Sequence, residues 1–447
     1  MTKSPTPVPS AQGHGQPHIE TRWERPVVVA SGGEATLLVR VVAQPAPETA
    51  SDRVAPLDVA FVLDRSGSMH GGKLELAKEG VDLAVARLRD HDRAALVVYD
   101  NEVDTVQALA AATPRLKASL RLALHGVDPG GSTFLSGGWV AGCQELAEAA
   151  PFPGEHAAAT RIRRAILLTD GLANVGILDP GELARHAGAL RQRGIATTTI
   201  GVGEDFDEGL LSAMAEAGGG NFQYVADPEG LRAFFAAELQ ELFSVAATGL
   251  TVTLTLPAGC SAALVSAFPV ASCPDGLEVA IGDLPAGDEI DLVFTIQAGA
   301  GTAGEAIPVA ITARWTDPRA AARREFDASP FPLRRVARHE VASTVPDPMV
   351  SERAALQRAA AERRAGLELD RAGRFAESRS RMEVAWNLLA AAPMTEAVRS
   401  DLAESALLAA EPSTGSYRSQ LRKSAQHRED QRRRGRVDHV GKNTNET

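Results

Sequence analysis

The stretch from Asp58 to Met69 constrains this chain more than any other, because it joins a buried strand directly to a polar turn. Its apolar run, residues 59–63, predicts a strand that is covered on both faces, as in a parallel sheet. Polar residues and one glycine follow the run at once: Asp64, Ser66, Gly67 and Ser68. Open α/β sheets place ligand sites at the carboxyl ends of their strands, so the sequence predicts a site at this turn.

The side chains of this turn offer oxygen atoms as ligands. Asp64 supplies a carboxylate, and Ser66 and Ser68 supply hydroxyls. We expect Gly67 to let the backbone turn tightly enough for both hydroxyls to face one point. Such a cluster suits a hard divalent cation such as Mg²⁺, Mn²⁺ or Ca²⁺.

Two later segments carry further oxygen ligands at comparable places. The glycine-rich stretch Gly130-Gly131-Ser132-Thr133 predicts a loop that ends in a hydroxyl, and the apolar run 165–168 is followed by Thr169 and Asp170. The pattern Asp-x-Ser-x-Ser, with these two segments in this order, resembles the metal-ion-dependent adhesion site of von Willebrand factor type A (vWA) domains. The stretches 199–203 and 218–224 resemble bacterial members of that family, so the resemblance runs from residue 57 to 247.

The resemblance implies a metal site built from five residues: Asp64, Ser66, Ser68, Thr133 and Asp170. It implies Mg²⁺ first, with Mn²⁺ or Ca²⁺ as alternatives. In the family an acidic residue of a protein partner completes the coordination of the metal, so the metal joins two proteins without catalysis. Two simpler interpretations stay open: the serines only cap a turn while Asp170 ends a strand, or the fold is complete but its site rarely holds a metal.

The order of predicted elements gives the fold class. Between residues 56 and 247 strands alternate with helices, which predicts a doubly wound, mostly parallel α/β sheet (Rossmann-like), with a short antiparallel edge strand at 102–107. From 249 to 336 apolar residues alternate with period two, which predicts an antiparallel β-sandwich. Because an isolated hairpin is marginal in water, we expect the strands within residues 23–50 to join this sandwich. The α/β (vWA) domain would then be inserted into the sandwich.

The remaining segments differ in composition. Residues 1–22 are rich in Pro, Ser, Gln and Gly, which predicts disorder. Residues 350–411 are rich in Ala, Leu, Glu and Arg, which predicts a helical hairpin or small bundle. Residues 412–447 are polar and basic and predict a disordered tail. This tail could bind an acidic partner, an anionic membrane or, weakly, nucleic acid, or it could only make the chain more soluble.

Composition and missing motifs exclude several classes of function. A net charge of -11 and an aromatic content of 4% argue against nucleic-acid binding by the whole chain. The three cysteines (Cys143, Cys260 and Cys273) form neither a disulfide framework nor a zinc pattern, although the last two could meet across a hairpin. We find no signal peptide and no apolar run of about 18 residues, and therefore expect a cytoplasmic protein. A nucleophile elbow, a dinucleotide fingerprint and a phosphate loop are also missing from the sequence.

Two functions of different class follow from these observations. The first is a non-enzymatic protein-protein interaction module that binds its partner through a divalent cation. The second is a scaffold or chaperone adaptor that acts through the helical segment and the tail, with the metal site only structural. Bacterial type A proteins also serve as partners of AAA+ ATPases, so the resemblance gives such an ATPase as one expected partner of an adaptor.

Overall fold

The computed structural model describes residues 17–44, 55–149, 161–170, 172–203, 206–225, 228–318, 320, 322–328 and 331–409. Three strands come first: β1 (Pro17–Trp23), β2 (Val27–Val29) and β3 (Gly33–Ala43). The prediction of disorder over 1–22 was wrong for residues 17–22, because β1 pairs antiparallel with β3, with Ile19 opposite Val41. The residues of β1 form no apolar run, and only one face of the strand is buried. The sequence of β1 alone therefore does not indicate a strand. Residues 1–16 lie outside the described part.

The middle of the chain alternates strand and helix, as the sequence predicts. Its elements are β4 (Leu57–Asp64), α1 (Lys73–Arg87), β5 (Arg93–Tyr99), β6 (Val103–Ala111), α2 (Pro114–His125), α3 (Leu135–Ala147), β7 (Ile162–Thr169), α4 (Pro180–Gln192), β8 (Ile195–Val202), α5 (Glu208–Gly218), β9 (Gly219–Val225) and α6 (Pro228–Phe243). The strands form one sheet in the order β6-β5-β4-β7-β8-β9. All neighbours are parallel except β6, which is the predicted antiparallel edge.

Helices cover both faces of this sheet, and β4 shows why its sequence is a continuous apolar run. Phe61 packs in a core with side chains of α1, α2 and α6, whereas Val62 packs in a second core with side chains of α3, α4 and α5. All eight residues of β4 are buried. Burying a side chain of the size of Phe61 stabilises the fold by about 1.5–3 kcal/mol. Both faces of the strand must therefore be apolar, and its polar residues stand only at the ends.

In the described residues after the α/β region there are nine strands: β10 (Val245–Thr255), β11 (Cys260–Leu264), β12 (Val270–Cys273), β13 (Gly276–Pro285), β14 (Glu289–Ala298), β15 (Ala306–Ile307), β16 (Ala310–Asp317), β17 (Ala322–Ala328) and β18 (Leu333–Val336). Two sheets, β1-β3-β14-β11 and β12-β13-β10-β16-β17, bury side chains in one common apolar core, including Val39 and Leu292 from the first and Val252 and Ile311 from the second. β10 begins at Val245, so the expected domain boundary at 247 lies slightly too late.

Strand β3 pairs antiparallel with β14, so residues before and after the α/β region share one sheet. Strand β2 was predicted to join the sandwich together with β3, but it does not join this antiparallel pair. It runs parallel to β18 in a small third sheet, β15-β18-β2. With only three residues, β2 carries no alternation that would specify its partner.

Four helices end the described chain: α7 (Arg338–Ser343), α8 (Pro348–Arg371), α9 (Phe375–Ala390) and α10 (Glu396–Ala409). α7 was not predicted, whereas α9 and α10 lie within the predicted helical segment 350–411 and α8 begins two residues before it. α8 packs Val350 and Ala354 on the outer face of the β3–β14 pair, and its Arg364 forms an ion pair of 2.6 Å with Glu216 of α5. This helix therefore contacts both the α/β region and the strands beside it. The predicted tail from 412 lies outside the described residues.

The length and polarity of the helices determine whether any of them could cross a membrane. Within the described ranges, no helix is both long and apolar enough to span a bilayer.

Candidate metal site

The predicted site residues lie at the carboxyl-end edge of the parallel sheet. Asp64 ends β4, and a short 3₁₀ turn over residues 67–69 follows it. β7 runs parallel to β4 with Leu168 opposite Leu63, so Asp170 leaves the sheet beside the serine turn. Parallel register therefore brings two carboxylates together that are far apart in sequence.

Direct hydrogen bonds connect four of the five predicted residues. The Ser66 backbone N–H donates to Asp64 Oδ1 at 2.7 Å, and the Ser66 and Ser68 hydroxyl oxygens are 3.1 Å apart. Ser68 Oγ donates to Asp170 Oδ1 at 2.7 Å. The structure thus brings these carboxylate and hydroxyl groups into one cluster, as the sequence predicts.

The fifth predicted residue, Thr133, lies in the neighbouring loop and is 3% exposed. Backbone contacts tie this loop to the serine turn, because the Gly67 N–H donates to the Gly131 carbonyl at 3.1 Å. Asn174 fixes the threonine itself: the Thr133 N–H donates to Asn174 Oδ1 at 2.8 Å, and the Asn174 N–H donates to the Thr133 carbonyl at 3.2 Å. The loop after β7 therefore positions the loop that carries Thr133.

Of the two glycines at this contact, Gly131 is the one whose backbone requires glycine. Its φ is +66°, and a Cβ atom there would lie 2.1 Å from Asn101 Oδ1. Gly67 has no left-handed φ, and a Cβ atom there would meet the Gly131 carbonyl oxygen at an ordinary 3.5 Å. The expectation that Gly67 supplies the tight turn was wrong, because a 3₁₀ turn has dihedral angles that any residue adopts.

The two carboxylates are fully buried, and burial sets their electrostatics. Asp64 and Asp170 are both 0% exposed. Burial raises the pKa of Asp64; hydrogen bonds from Ser66 and Thr169 oppose this rise, and the charge of Asp170 adds to it. The Thr169 hydroxyl donates to Asp64 Oδ2 at 2.5 Å. Two neighbouring buried carboxylates favour a positive charge between or beside them.

A lysine that sequence reasoning missed supplies one such charge. Lys73 Nζ lies 2.7 Å from Asp170 Oδ2. In the structure Lys73 is the first residue of α1, directly after the N-cap Gly72. Lysine is unfavourable at the positive amino end of a helix, and the ion pair with Asp170 offsets this cost.

The rim of the site adds more acidic than basic groups. Arg65 forms ion pairs with Asp100 at 3.3 Å and with Asp104 at 2.7 Å. Together with Asp64 and Asp170, four carboxylates of the described residues therefore lie with two basic side chains, Lys73 and Arg65, at this edge. This edge of the sheet has an excess of negative charge, which favours cations over anions.

The donor chemistry fits a hard divalent cation better than a soft one. Throughout the described ranges, no group of three or more His, Cys, Asp or Glu side chains could hold a metal ion. A cation at this edge would therefore need the hydroxyls of Ser66, Ser68 and Thr133 as well as the two carboxylates. Hydroxyl and carboxylate oxygens are ligands that Mg²⁺, Mn²⁺ and Ca²⁺ accept.

Comparison with known proteins agrees with this fold. The family model of the von Willebrand factor type A domain matches residues 58–237. These residues form a vWA domain, with the mixed, mostly parallel sheet described above.

Relatives of this chain include bacterial proteins. The uncharacterized protein YfbK of Escherichia coli is 30% identical over 182 residues, which cover 40% of this chain and 30% of that protein. An uncharacterized protein of Synechocystis, sll0103, is 26% identical over 303 residues, or 63% of this chain and 66% of that protein. The matches thus span less than two thirds of either relative. A vWA protein structure from Catenulispora acidiphila has a TM-score of 0.71 at 18% identity, covering 96% of this chain and 99% of that one, which is a likeness of fold.

Proposed function

We propose that the vWA domain binds a divalent cation, Mg²⁺ first, through Asp64, Ser66, Ser68, Thr133 and Asp170. The cation then binds an acidic residue of a protein partner. The proposed activity is recognition without catalysis. A bound divalent cation would supply a positive charge with an open coordination position for an oxygen anion. The general role of vWA domains in protein-protein interaction supports this proposal.

One observation carries the proposal: Asp64 and Asp170 are two fully buried carboxylates in one hydrogen-bonded cluster, and among the described residues Lys73 places its ammonium group on Asp170. Burying an ionised carboxylate is costly unless it is paired and hydrogen-bonded. Hydroxyl groups lie against both carboxylates, but hydroxyls carry no net charge. A cation would supply the charge that these hydroxyls cannot.

The test is thermal unfolding in Mg²⁺, Mn²⁺, Ca²⁺ or chelator. A cation at 100 times its Kd should raise the free energy of unfolding by about 2.7 kcal/mol, because it binds only the folded state. Asp64→Asn should lose this rise. Asp104→Asn, which changes an exposed rim carboxylate on the same face, is the matched control and should keep most of it. If no cation shifts the wild-type transition, the site is not a cation site.

Capture of a partner is the second part of the test. A partner bound through the cation should be released by chelator and should fail to bind Asp64→Asn. Changing the acidic contact residue of the partner to the corresponding amide should likewise abolish binding to the wild-type chain. Binding that persists in chelator would place the contact elsewhere on the chain.

Exposed apolar side chains on α9 and in the connection to α10 favour a second candidate function. Phe375 is 55% exposed, Trp386 46% and Met394 54%. Phe375 and Trp386 both belong to α9, and exposed apolar side chains that form one contiguous patch are typical of docking sites for other proteins. In this alternative the chain is a scaffold or adaptor, for example for an AAA+ ATPase, and the metal site is structural. Trp386→Ala should then abolish partner capture while leaving the cation-induced rise in stability unchanged.

A further inference from the structure

Lys73 occupies a position that local helix chemistry disfavours. It is the first residue of α1, where the backbone N–H groups already make the helix end positive. The only residue with an acidic side chain in the first turn of this helix is Glu75. Residues that break a local rule often serve a function, so the contacts of Lys73 need an explanation beyond helix formation.

The lysine side chain is aimed at the candidate metal site. Its Nζ lies 2.7 Å from Asp170 Oδ2, while Ser68 donates to the other carboxylate oxygen. Asp170 is fully buried, whereas the Lys73 side chain is 26% exposed. The ammonium group therefore reaches a buried acid from the rim of the site.

Backbone packing holds the lysine stem in this direction. Gly203, in the segment after β8, has a φ of +75°, and a Cβ atom there would lie 3.0 Å from Lys73 Cε. The Gly203 N–H donates to the Val225 carbonyl of β9 at 3.0 Å, which fixes the segment in place. The carboxyl-end edge of the sheet thus leaves a space that the lysine stem fills.

The charges of the cluster show what this lysine does to a bound cation. With both carboxylates ionised, Asp64 and Asp170 contribute two negative charges and Lys73 one positive charge, so the cluster without a cation has a net charge of −1. Adding a divalent cation changes this to +1. Without the lysine, the same cation would leave the cluster neutral. The lysine therefore opposes the cation by itself but favours the cation together with an added anion.

We propose that Lys73 makes divalent-cation binding depend on a carboxylate ligand. Each of the two then increases the affinity for the other, as thermodynamic linkage requires. This inference rests on the proposed function and adds to it, since it makes binding of the cation and of the acidic partner cooperative. A partner that lacks a carboxylate would meet a site that holds its cation weakly.

The experiment titrates Mn²⁺ into the full chain by calorimetry, in acetate or in chloride at equal ionic strength. Acetate is the probe for the partner's carboxylate. In wild type, acetate should tighten Mn²⁺ binding about 10-fold. In Lys73→Met, Mn²⁺ should bind about 10-fold more tightly in chloride, and the acetate effect should fall to about 2-fold or less. Lys78→Met removes a charge from the same helix, where Lys78 pairs with Glu75, and should behave as wild type.

Two further variants distinguish the loss of the lysine charge from misfolding of the variant. Lys73→Gln keeps a donor for Asp170 without the charge and should behave as Lys73→Met, while Lys73→Arg keeps the charge and should preserve the acetate effect. An acetate effect of equal size in wild type, Lys73→Met and Lys73→Gln would overturn this inference and leave the proposed function standing. If wild type and all variants bind no Mn²⁺ in either salt, the proposed function fails, and this inference fails with it.

Discussion

The two ends of strand β4 each carry a fully buried aspartate, but their surroundings differ. At the amino end, Asp58 accepts hydrogen bonds from Arg93 at 2.8 and 2.6 Å and from Arg161 at 2.7 Å. Nearby, Asp92 accepts from Arg89 at 2.9 and 2.8 Å. Two carboxylates there face three guanidinium groups. At the carboxyl end, within the part of the chain that the structure describes, Asp170 pairs with the ammonium group of Lys73, and Asp64 accepts hydrogen bonds from Thr169 and from the Ser66 backbone.

This difference separates a structural cluster from a candidate binding site. The arginines occupy the carboxylate oxygens of Asp58 from two directions, and Arg161 also donates to the carbonyl of His91 at 2.9 Å. That cluster has its positive charges already in place and needs no ligand. At the carboxyl end of the strand, the hydroxyls of Ser68 and Thr169 donate to carboxylate oxygens, where arginine side chains donate at the amino end. Burial alone therefore does not distinguish a candidate ligand-binding carboxylate from a structural one, because Asp58 and Asp64 are equally buried. The difference lies in how much positive charge the neighbouring side chains supply.

The largest expected effect is the loss of the structural cluster. Asp58→Ala leaves Arg93 and Arg161, both nearly buried, without their shared carboxylate, and should lower the free energy of unfolding by about 3–5 kcal/mol. Asp64→Ala, in the same strand and equally buried, is the control and should cost less in chelator. Urea unfolding measures both. Equal losses would remove the distinction between the two ends.

A smaller effect is expected at the hydroxyl that serves Asp64. Thr169→Val removes the donor to a buried, charged acceptor and should cost about 1.5–3 kcal/mol. The control is Thr199→Val, because the equally buried Thr199 donates to the neutral carbonyl of Leu211 at 2.8 Å. That change should cost only about 0.5–1.5 kcal/mol. A greater loss for Thr199→Val in thermal or urea unfolding would contradict a charged Asp64.

The smallest effect concerns the rim. Arg65→Ala removes ion pairs with the 52% exposed Asp104 and the 13% exposed Asp100, each worth about 0.2–1 kcal/mol, and should lower the free energy of unfolding by no more than about 2 kcal/mol. It also removes a positive charge near the site, so Mn²⁺ affinity should rise modestly and less so at high salt. The control is Arg121→Ala, which breaks an exposed ion pair between Arg121 of α2 and Asp82 of α1. This change should leave the Mn²⁺ affinity unchanged. Weaker Mn²⁺ binding in Arg65→Ala would mean that this arginine supports the site.

Local patterns in the sequence determined the α/β elements and part of the site. The apolar run of β4 and the polar turn after it follow from their own residues, because a strand that is buried on both faces tolerates polar side chains only at its ends. The predicted residues Asp64, Ser66 and Ser68 lie within one turn, so the covalent chain itself keeps them close. Proline after an N-cap aspartate likewise marks the start of α4 at Pro180.

Only the tertiary structure decided the partners of these residues. Lys73 and Asp170 are 97 residues apart, and Thr169 and Asp64 are 105 apart. Their contacts depend on the parallel register of β4 with β7 and on the direction in which α1 leaves the sheet. The pairing of β3 with β14 and of β2 with β18 is equally non-local. Periodicity describes which face of an element is buried; it carries no information about which distant element will cover that face or complete its charge.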